Sequence, residues 1–491
     1  MRKKLAVFLL TAIILLGLLL RLYDLDKESI WVDEAYSLHY ALLPSPNEVM
    51  AGTVETEGAP PGYYLFLHYW IKVFGSSEFS VRFPSLLAGA ISIAIIFKIG
   101  EVLYDRRTGL IAALLLSTSM LQILFSQEAR LYSIYGCLTL CTLYFFIIIY
   151  KKSQQHSQIS NKYYVFYALS MILSLYLNFV AGVLIILYTF AALWRKENFP
   201  WKKWLLTHLI IVLVALPLIP LFLQQYITAD TGIEPELIQK GVPVFLAKLG
   251  VFFYAVPLMA VLLAAGAILL CKKRITALVS RLQIPDYYWT LTIFTFAAVY
   301  LYFSFFPLAI LGFAISRSPI THSFFLIRHS YFLVPIVYLY LAYKISNFKR
   351  TTLTVVCIIA LLTANSLALS QYYQEPTKAG WQEAAQFIED RTAGTPTLLL
   401  DRGGLGPVFL SEYYFSKPEI IKLTWTEGRR ENKMLTEEAL LQTLQDQDEF
   451  WLILSGNYQE DEYYRKILDE NYQRDTSQEF YLIKVYHYTN Q

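Results

Sequence analysis

The sequence predicts a polytopic α-helical membrane protein that ends in a small α/β domain. Three observations carry this. Of 491 residues, 56% are hydrophobic and 16% charged, where a soluble globular chain carries about 25% charged residues. The apolar residues fall in many separate runs of membrane-spanning length, divided by basic clusters. Charge density then rises from residue 371 onward.

A helix needs about 20 apolar residues to cross the hydrocarbon. Runs of this kind lie at 5–20, 84–103, 109–126, 131–150, 163–178, 179–194, 204–223, 249–271, 287–307, 330–346 and 351–370, which makes about eleven spans. Arg2-Lys3-Lys4, Arg106-Arg107, Lys151-Lys152, Arg195-Lys196 with Lys202-Lys203, Lys272-Lys273-Arg274 and Lys349-Arg350 fall on alternate connections. The positive-inside rule puts all of these in the cytoplasm. The first run follows a basic leader, and no small-residue cleavage pattern follows it, so it reads as an uncleaved anchor. The N-terminus is then cytoplasmic, and an odd number of spans sends the tail outside. Two units result: a transmembrane unit at 1–370 with an outer first loop at 21–83, and an extracytoplasmic unit at 371–491. The pair 163–178 and 179–194 leaves room only for a tight turn near Asn178.

Within the first loop, Pro60-Pro61-Gly62-Tyr63-Tyr64 opens an aromatic, apolar stretch to Lys72. It is too short for a comfortable span and reads as an interfacial helix begun by proline. The tail alternates strands, expected at 396–401, 419–424, 449–455 and 479–487, with helices at 380–391, 406–415, 436–446 and 460–471. This alternation implies a mainly parallel sheet. Asp401-Arg402-Gly403-Gly404-Leu405-Gly406 follows a strand, but Phe409 stands where a dinucleotide loop needs glycine, so a plain turn is expected. Cys137, Cys141, Cys271 and Cys357 all lie in or beside apolar runs, which indicates neither a disulfide framework nor a cysteine metal site. The net charge of +3 says little by itself, and no nucleic-acid partner is expected.

Candidate chemistry clusters at the outer junctions. Asp33 and Glu34, in Trp31-Val32-Asp33-Glu34-Ala35-Tyr36, emerge just after the first span. They read either as solvated acids at a helix start or as interfacial carboxylates, one of them tuned as a general base. Adjacent helical residues point about 100° apart, so the two are expected to divide roles. Glu55 and Glu57 precede Gly58-Ala59-Pro60-Pro61 and read as a solvated turn or as a further acid over the same cavity. Glu128, Arg130 and Tyr132, in Ser126-Gln127-Glu128-Ala129-Arg130-Leu131-Tyr132, are costly near hydrocarbon. They form a salt-bridged hairpin or a polar wall. Arg328-His329 opens the tenth span, where arginine either snorkels or binds a lipid phosphate.

With the first-loop Asp-Glu, Pro-Pro-x-Tyr-Tyr, Arg82-Phe83-Pro84-Ser85, the Ser-Gln-Glu-Ala-Arg-x-Tyr junction and the late outer arginine in order, residues 5–345 resemble the family-39 glycosyltransferases. These are similar to protein O-mannosyltransferases and bacterial lipid A aminoarabinose transferases, and have the GT-C membrane fold. The tail resembles the outer α/β domains of some bacterial members. The resemblance implies transfer of one sugar from a polyprenyl-phosphate carrier to a lipid, protein or glycan acceptor on the outer face. It implies Asp33 as base or acceptor-orienting group with Glu34 beside it. Substrate contacts are implied at Glu57, Tyr63, Arg82, Glu128, Arg130, Tyr132, Arg328 and His329, with the two arginines Arg130 and Arg328 toward the carrier's phosphate. This chain has His329 where the family often has tyrosine, and Gly58-Ala59 where histidine or lysine is common.

A divalent cation is compatible with such a site, but the acids form no ligand spacing, so the cofactor stays open. Three other classes remain: a transporter or flippase, which predicts internal repeats and mid-membrane charges; a lipid-linked glycan polymerase or ligase; and a membrane scaffold. The polar residues gather at outer junctions instead, and a large outer tail suits the transferase or the scaffold better.

Overall fold

The structure, a computed structural model, describes residues 3–53, 59–194, 198–221, 331, 334–400, 405–415, 417–427, 431–455 and 461–490. Labels below number the described elements only. The helical part comprises α1 (Lys3–Leu22), α2 (Val32–Ala41), α3 (Pro46–Gly52), α4 (Gly62–Phe74), α5 (Glu78–Leu103), α6 (Arg106–Ser117), α7 (Met120–Ser126), α8 (Tyr132–Gln154), α9 (Asn161–Leu177), α10 (Ala181–Trp194), α11 (Trp201–Ala215), α12 (Val334–Ser346) and α13 (Thr351–Gln374). The chain is a multi-pass membrane protein. Helices α1, α5, α8 and α13 are each long and apolar enough to cross a bilayer. Helices α1 and α13 present bare hydrocarbon: Phe8 on α1 and Leu367 on α13 are each 69% exposed, as lipid-facing side chains must be. The expected spans at 249–271 and 287–307 lie outside the described residues.

The run at 109–126 differs from the continuous span its hydropathy predicts. It is two helices, α6 and α7, bent 61° from one another. Sharp kinks need a cause in the hydrogen-bond ladder, and serine and threonine supply one here. Ser117 Oγ and Thr118 Oγ1 both donate back to the Leu114 carbonyl, at 2.8 and 3.1 Å. The carbonyls freed at the break go to Arg21 at the end of α1. Its guanidinium is wholly buried and donates to Ser117 O (3.1 Å), Leu116 O (3.4 Å), Gly17 O (2.9 Å) and Ser126 Oγ (3.2 Å). Hydropathy averages over such a break, because Leu-Ser-Thr-Ser-Met is only mildly polar.

Helices α5 and α6 approach at two glycines. A Cβ on Gly100 would lie 2.6 Å from the Gly109 Cα, and one on Gly109 would lie 2.5 Å from the Phe97 carbonyl. Small residues let membrane helices come this close. Gly109→Leu should therefore force the pair apart, costing about 1–3 kcal/mol. A lower thermal midpoint in detergent, relative to wild type, is the expected measurement. The tight turn anticipated near Asn178 is present between α9 and α10, where the Asn178 side-chain oxygen accepts from the Val180 N–H at 3.0 Å.

The C-terminal segment contains α14 (Trp381–Glu389), β1 (Thr397–Leu400), α15 (Leu405–Tyr414), β2 (Glu419–Lys422), β3 (Thr424–Glu427), β4 (Glu431–Met434), α16 (Glu437–Leu444), β5 (Glu449–Ser455), α17 (Asp461–Asn471), β6 (Gln473–Phe480) and β7 (Ile483–Thr489). Its sheet runs β2-β1-β5-β7-β6, with β3 and β4 as a separate hairpin. The sheet is mixed rather than mainly parallel: β2, β1 and β5 are parallel, but β7 is antiparallel to both β5 and β6. The reason is a hairpin turning at Tyr481-Leu482, with Leu482 in the left-handed region at φ 59°. Two strands joined by so short a turn must run antiparallel. Trp381, Ala384, Ala385 and Ile388 of α14 are buried against this sheet. The opposite face is closed by Leu440 and Leu444 of α16 and by Tyr464 and Leu468 of α17.

The segment is seated on the first loop. Tyr413 Oη donates to Ser76 O at 2.8 Å. Tyr414 Oη accepts from the Ile30 N–H at 2.7 Å and donates to Glu78 at 3.0 Å. His39 of α2 meets Phe409 of α15 edge to face, with ring centroids 5.8 Å apart.

Candidate functional site

Helix α2 begins at Val32, which places Asp33 and Glu34 in its first turn. The first turn points the two side chains in different directions. Glu34 is completely buried, whereas Asp33 stays partly exposed. Glu34 meets Arg82 of α5 as a bidentate pair, Nε to Oε1 at 2.9 Å and Nη2 to Oε2 at 2.8 Å. Arg82 directs its other donors to the carbonyls of Leu25, Glu28 and Ser29, each at 2.8–2.9 Å. Every N–H of this buried guanidinium thus has a protein acceptor. The Ala129 N–H adds a bond to Glu34 Oε1 at 2.7 Å, tying the α7–α8 junction to α2.

Lys378, four residues beyond the end of α13, is the third charge in this nest. It is 8% exposed, and its ammonium lies 3.1 Å from Glu34 Oε2 and 3.2 Å from the Gln127 carbonyl. Gln127 is itself fixed by three bonds: to Arg21 O (3.1 Å), to Tyr23 O (2.7 Å) and from Tyr372 Oη (2.9 Å). Burial alone would push the Glu34 carboxyl upward, but the charges of Arg82 and Lys378 outweigh it and hold Glu34 at about 2. Burial, with Arg82 nearby, holds Lys378 below the usual lysine range.

Glu128 is the contrasting acid. It is buried, and its Oε2 has no hydrogen-bond partner among the described residues. Burial, together with the Glu34 and Asp33 charges and against the pull of Lys378 and Arg130, pushes it up to about 8. A carboxyl raised in the fold stabilises it fully below the unfolded value of about 4.3, and that contribution is lost as pH rises through about 8. The thermal midpoint should therefore fall between about pH 4.3 and about pH 8 and level off above, and Glu128→Gln should flatten that decline. A pH series of melting curves on the two proteins checks this.

Arg130 crosses to α2, donating to Asp33 O at 3.0 Å and Ser37 Oγ at 3.1 Å. Its guanidinium also lies 6.0 Å from the Tyr132 ring. Tyr63 of α4 is buried within reach of the Arg130, Glu34 and Glu128 charges. The fold therefore gathers Asp33, Glu34, Tyr63, Arg82, Glu128, Arg130 and Tyr132 at one junction, where the first loop, the start of α5 and the α7–α8 turn converge. Glu57, Arg328 and His329 lie outside the described residues. Lys378 and Gln127 were not singled out from sequence. Gln127 sits inside a stretch read for its neighbours, and one lysine beyond a span ordinarily reads as a snorkelling anchor. Among the described residues, no group of three or more His, Cys, Asp or Glu side chains is placed to hold a metal ion.

Residues 58–223 match the family described as dolichyl-phosphate-mannose-protein mannosyltransferase, and the chain resembles the GT-C glycosyltransferases of that kind. The match takes in Tyr63, Arg82, Glu128, Arg130 and Tyr132 and begins after Asp33 and Glu34. Among solved structures, the Archaeoglobus fulgidus oligosaccharyltransferase tethered with an acceptor peptide is similar at 14% identity and a TM-score of 0.47, over 85% of this chain and 64% of that one. This chain thus spans less than two thirds of the archaeal protein. ArnT from Cupriavidus metallidurans, bound to undecaprenyl phosphate, is similar at 14% identity and a TM-score of 0.45, over 99% of this chain and 98% of that one. At these identities and scores neither likeness assigns a substrate. No curated protein sequence matches the chain.

Proposed function

We propose that this protein is a membrane glycosyltransferase that moves a single sugar from a polyprenyl-phosphate carrier to an acceptor on the outer face. The observation that carries the reading is the geometry of α2. A partly exposed carboxylate, Asp33, is mounted on a helix whose next residue is locked in a buried ion pair, beside Arg130 and at the exit of a membrane span. The family match over residues 58–223 supports the reaction class.

In this mechanism the acceptor's hydroxyl or amine attacks the anomeric carbon as its proton passes to Asp33. The bond from that carbon to the phosphate oxygen breaks, and its electron pair leaves with the polyprenyl phosphate. A phosphate is already a good anion, so this departure calls for positive charge rather than for a proton. Arg130, which donates to the Asp33 backbone, is the described cation assigned that role, with Arg328 as its expected companion. One displacement inverts the anomeric configuration. Glu34, Arg82 and Lys378 hold α2 rather than touch the reacting atoms. The N-terminus faces the cytoplasm and the C-terminal segment the outer side, as the basic clusters direct.

Incubating purified protein with polyprenyl-phosphate sugars tests the reading. Release of polyprenyl phosphate in the presence of an acceptor is the expected result. No release with any sugar tried, from a folded preparation, overturns it.

A further inference from the structure

The ion pair of Glu34 and Arg82 is satisfied without Lys378. Arg82 has an acceptor for every N–H, and Glu34 accepts from both Arg82 nitrogens and from Ala129. Burying an additional ammonium is costly unless it meets negative charge that is otherwise unbalanced. Arg82 already balances Glu34. Among the described residues the other buried carboxyl is Glu128, and the carbonyl that Lys378 bonds belongs to Gln127, the residue immediately before it. Lys378 therefore bonds one acid that is already saturated, Glu34, and the backbone next to a second, Glu128, whose buried Oε2 has no partner among the described residues. The groups around Glu128 are Asp33 and Glu34 from α2, Arg130 from its own turn, Tyr63 from α4, Tyr372 from α13, and Lys378.

We propose that Lys378 is a positioning residue that sets whether Glu128 carries a proton, and so whether Glu128 Oε2 meets the substrate as a donor or as a second negative charge beside Asp33. With the proton in place, Glu128 adds no charge beside Asp33 and offers an O–H to the bound ligand. With the proton gone, two carboxylates face the carrier's phosphate and repel it. The Lys378 charge opposes the effect of burial on Glu128. The ligand's identity rests on the transferase reading above, whereas the proton on Glu128 does not.

Infrared difference spectra recorded across a pH series test the inference on the full chain in detergent. Wild type should show a protonated-carboxyl C=O band that disappears as pH rises through about 8, and Glu128→Gln should lack it. In Lys378→Met the band should persist to higher pH, with the midpoint raised by about one unit or more; Lys378→Arg should restore the wild-type midpoint. A midpoint unmoved in Lys378→Met overturns the inference, as does a wild-type spectrum with no band that Glu128→Gln removes. The second comparison holds even where Lys378→Met does not fold. In transfer assays, the alkaline loss of activity should move upward together with the band. A band that moves in a protein transferring no sugar from any carrier would sink the transferase reading and leave the Lys378 assignment standing.

Discussion

Arg82→Met should be the most damaging single substitution where the first loop meets α5. It leaves Glu34 buried with only Lys378 and backbone donors, and strips the carbonyls of Leu25, Glu28 and Ser29 of their shared partner. Breaking a buried pair by removing one member costs about 3–5 kcal/mol. The expected result is a monodisperse wild type and a variant that aggregates or melts far earlier on solubilisation. The loss should be only partly reversed in Arg82→Met with Glu34→Leu. The double change removes the orphaned carboxylate but takes the carboxylate partner from buried Lys378 and leaves the three unsatisfied carbonyls, each of which carries about 1–3 kcal/mol of desolvation penalty. Full recovery in the double variant would show that the carbonyl contacts do not hold the loop.

Asp33→Asn should do the opposite: little to the fold and much to turnover. The Asp33 carboxylate is partly exposed, and Asn keeps its size while the backbone bond from Arg130 to Asp33 O is untouched. General-base assistance is worth about 10²–10⁴-fold in rate, and transfer should fall within that range with a wild-type melting curve. Near wild-type turnover in that variant would remove Asp33 from the mechanism. Glu34→Gln, one residue away, is the informative contrast. It should fail by instability, since it discharges one side of a buried ion pair.

The sequence carried the parts of this arrangement that follow from local rules. The face of α14 was legible because Trp381, Ala384, Ala385 and Ile388 recur at helical spacing. The divergence of Asp33 and Glu34 was legible from the 100° step of a helix. β6 was not, because Gln473–Phe480 is a polar edge strand exposed along most of its length, and alternation of apolar residues was the signal sought. Lys378 was not, because its carboxylate partner is 344 residues away and a lone lysine has no periodicity. Nor does hydropathy show where a helix breaks when serine and threonine take over the ladder, as they do after Leu114.

The guanidinium of Arg21 has a consequence for the order in which the chain matures. Apart from Gly17, its acceptors lie 95–105 residues further along. At about 5–20 residues per second of synthesis, roughly 5–20 s separate the emergence of the arginine from that of its partners. For that interval the end of α1 must rest where water can solvate it, near the membrane surface. It is drawn into the packed interior only when the broken helix arrives with its free carbonyls. The seal over Arg21 is thus completed only by segments made about a hundred residues later.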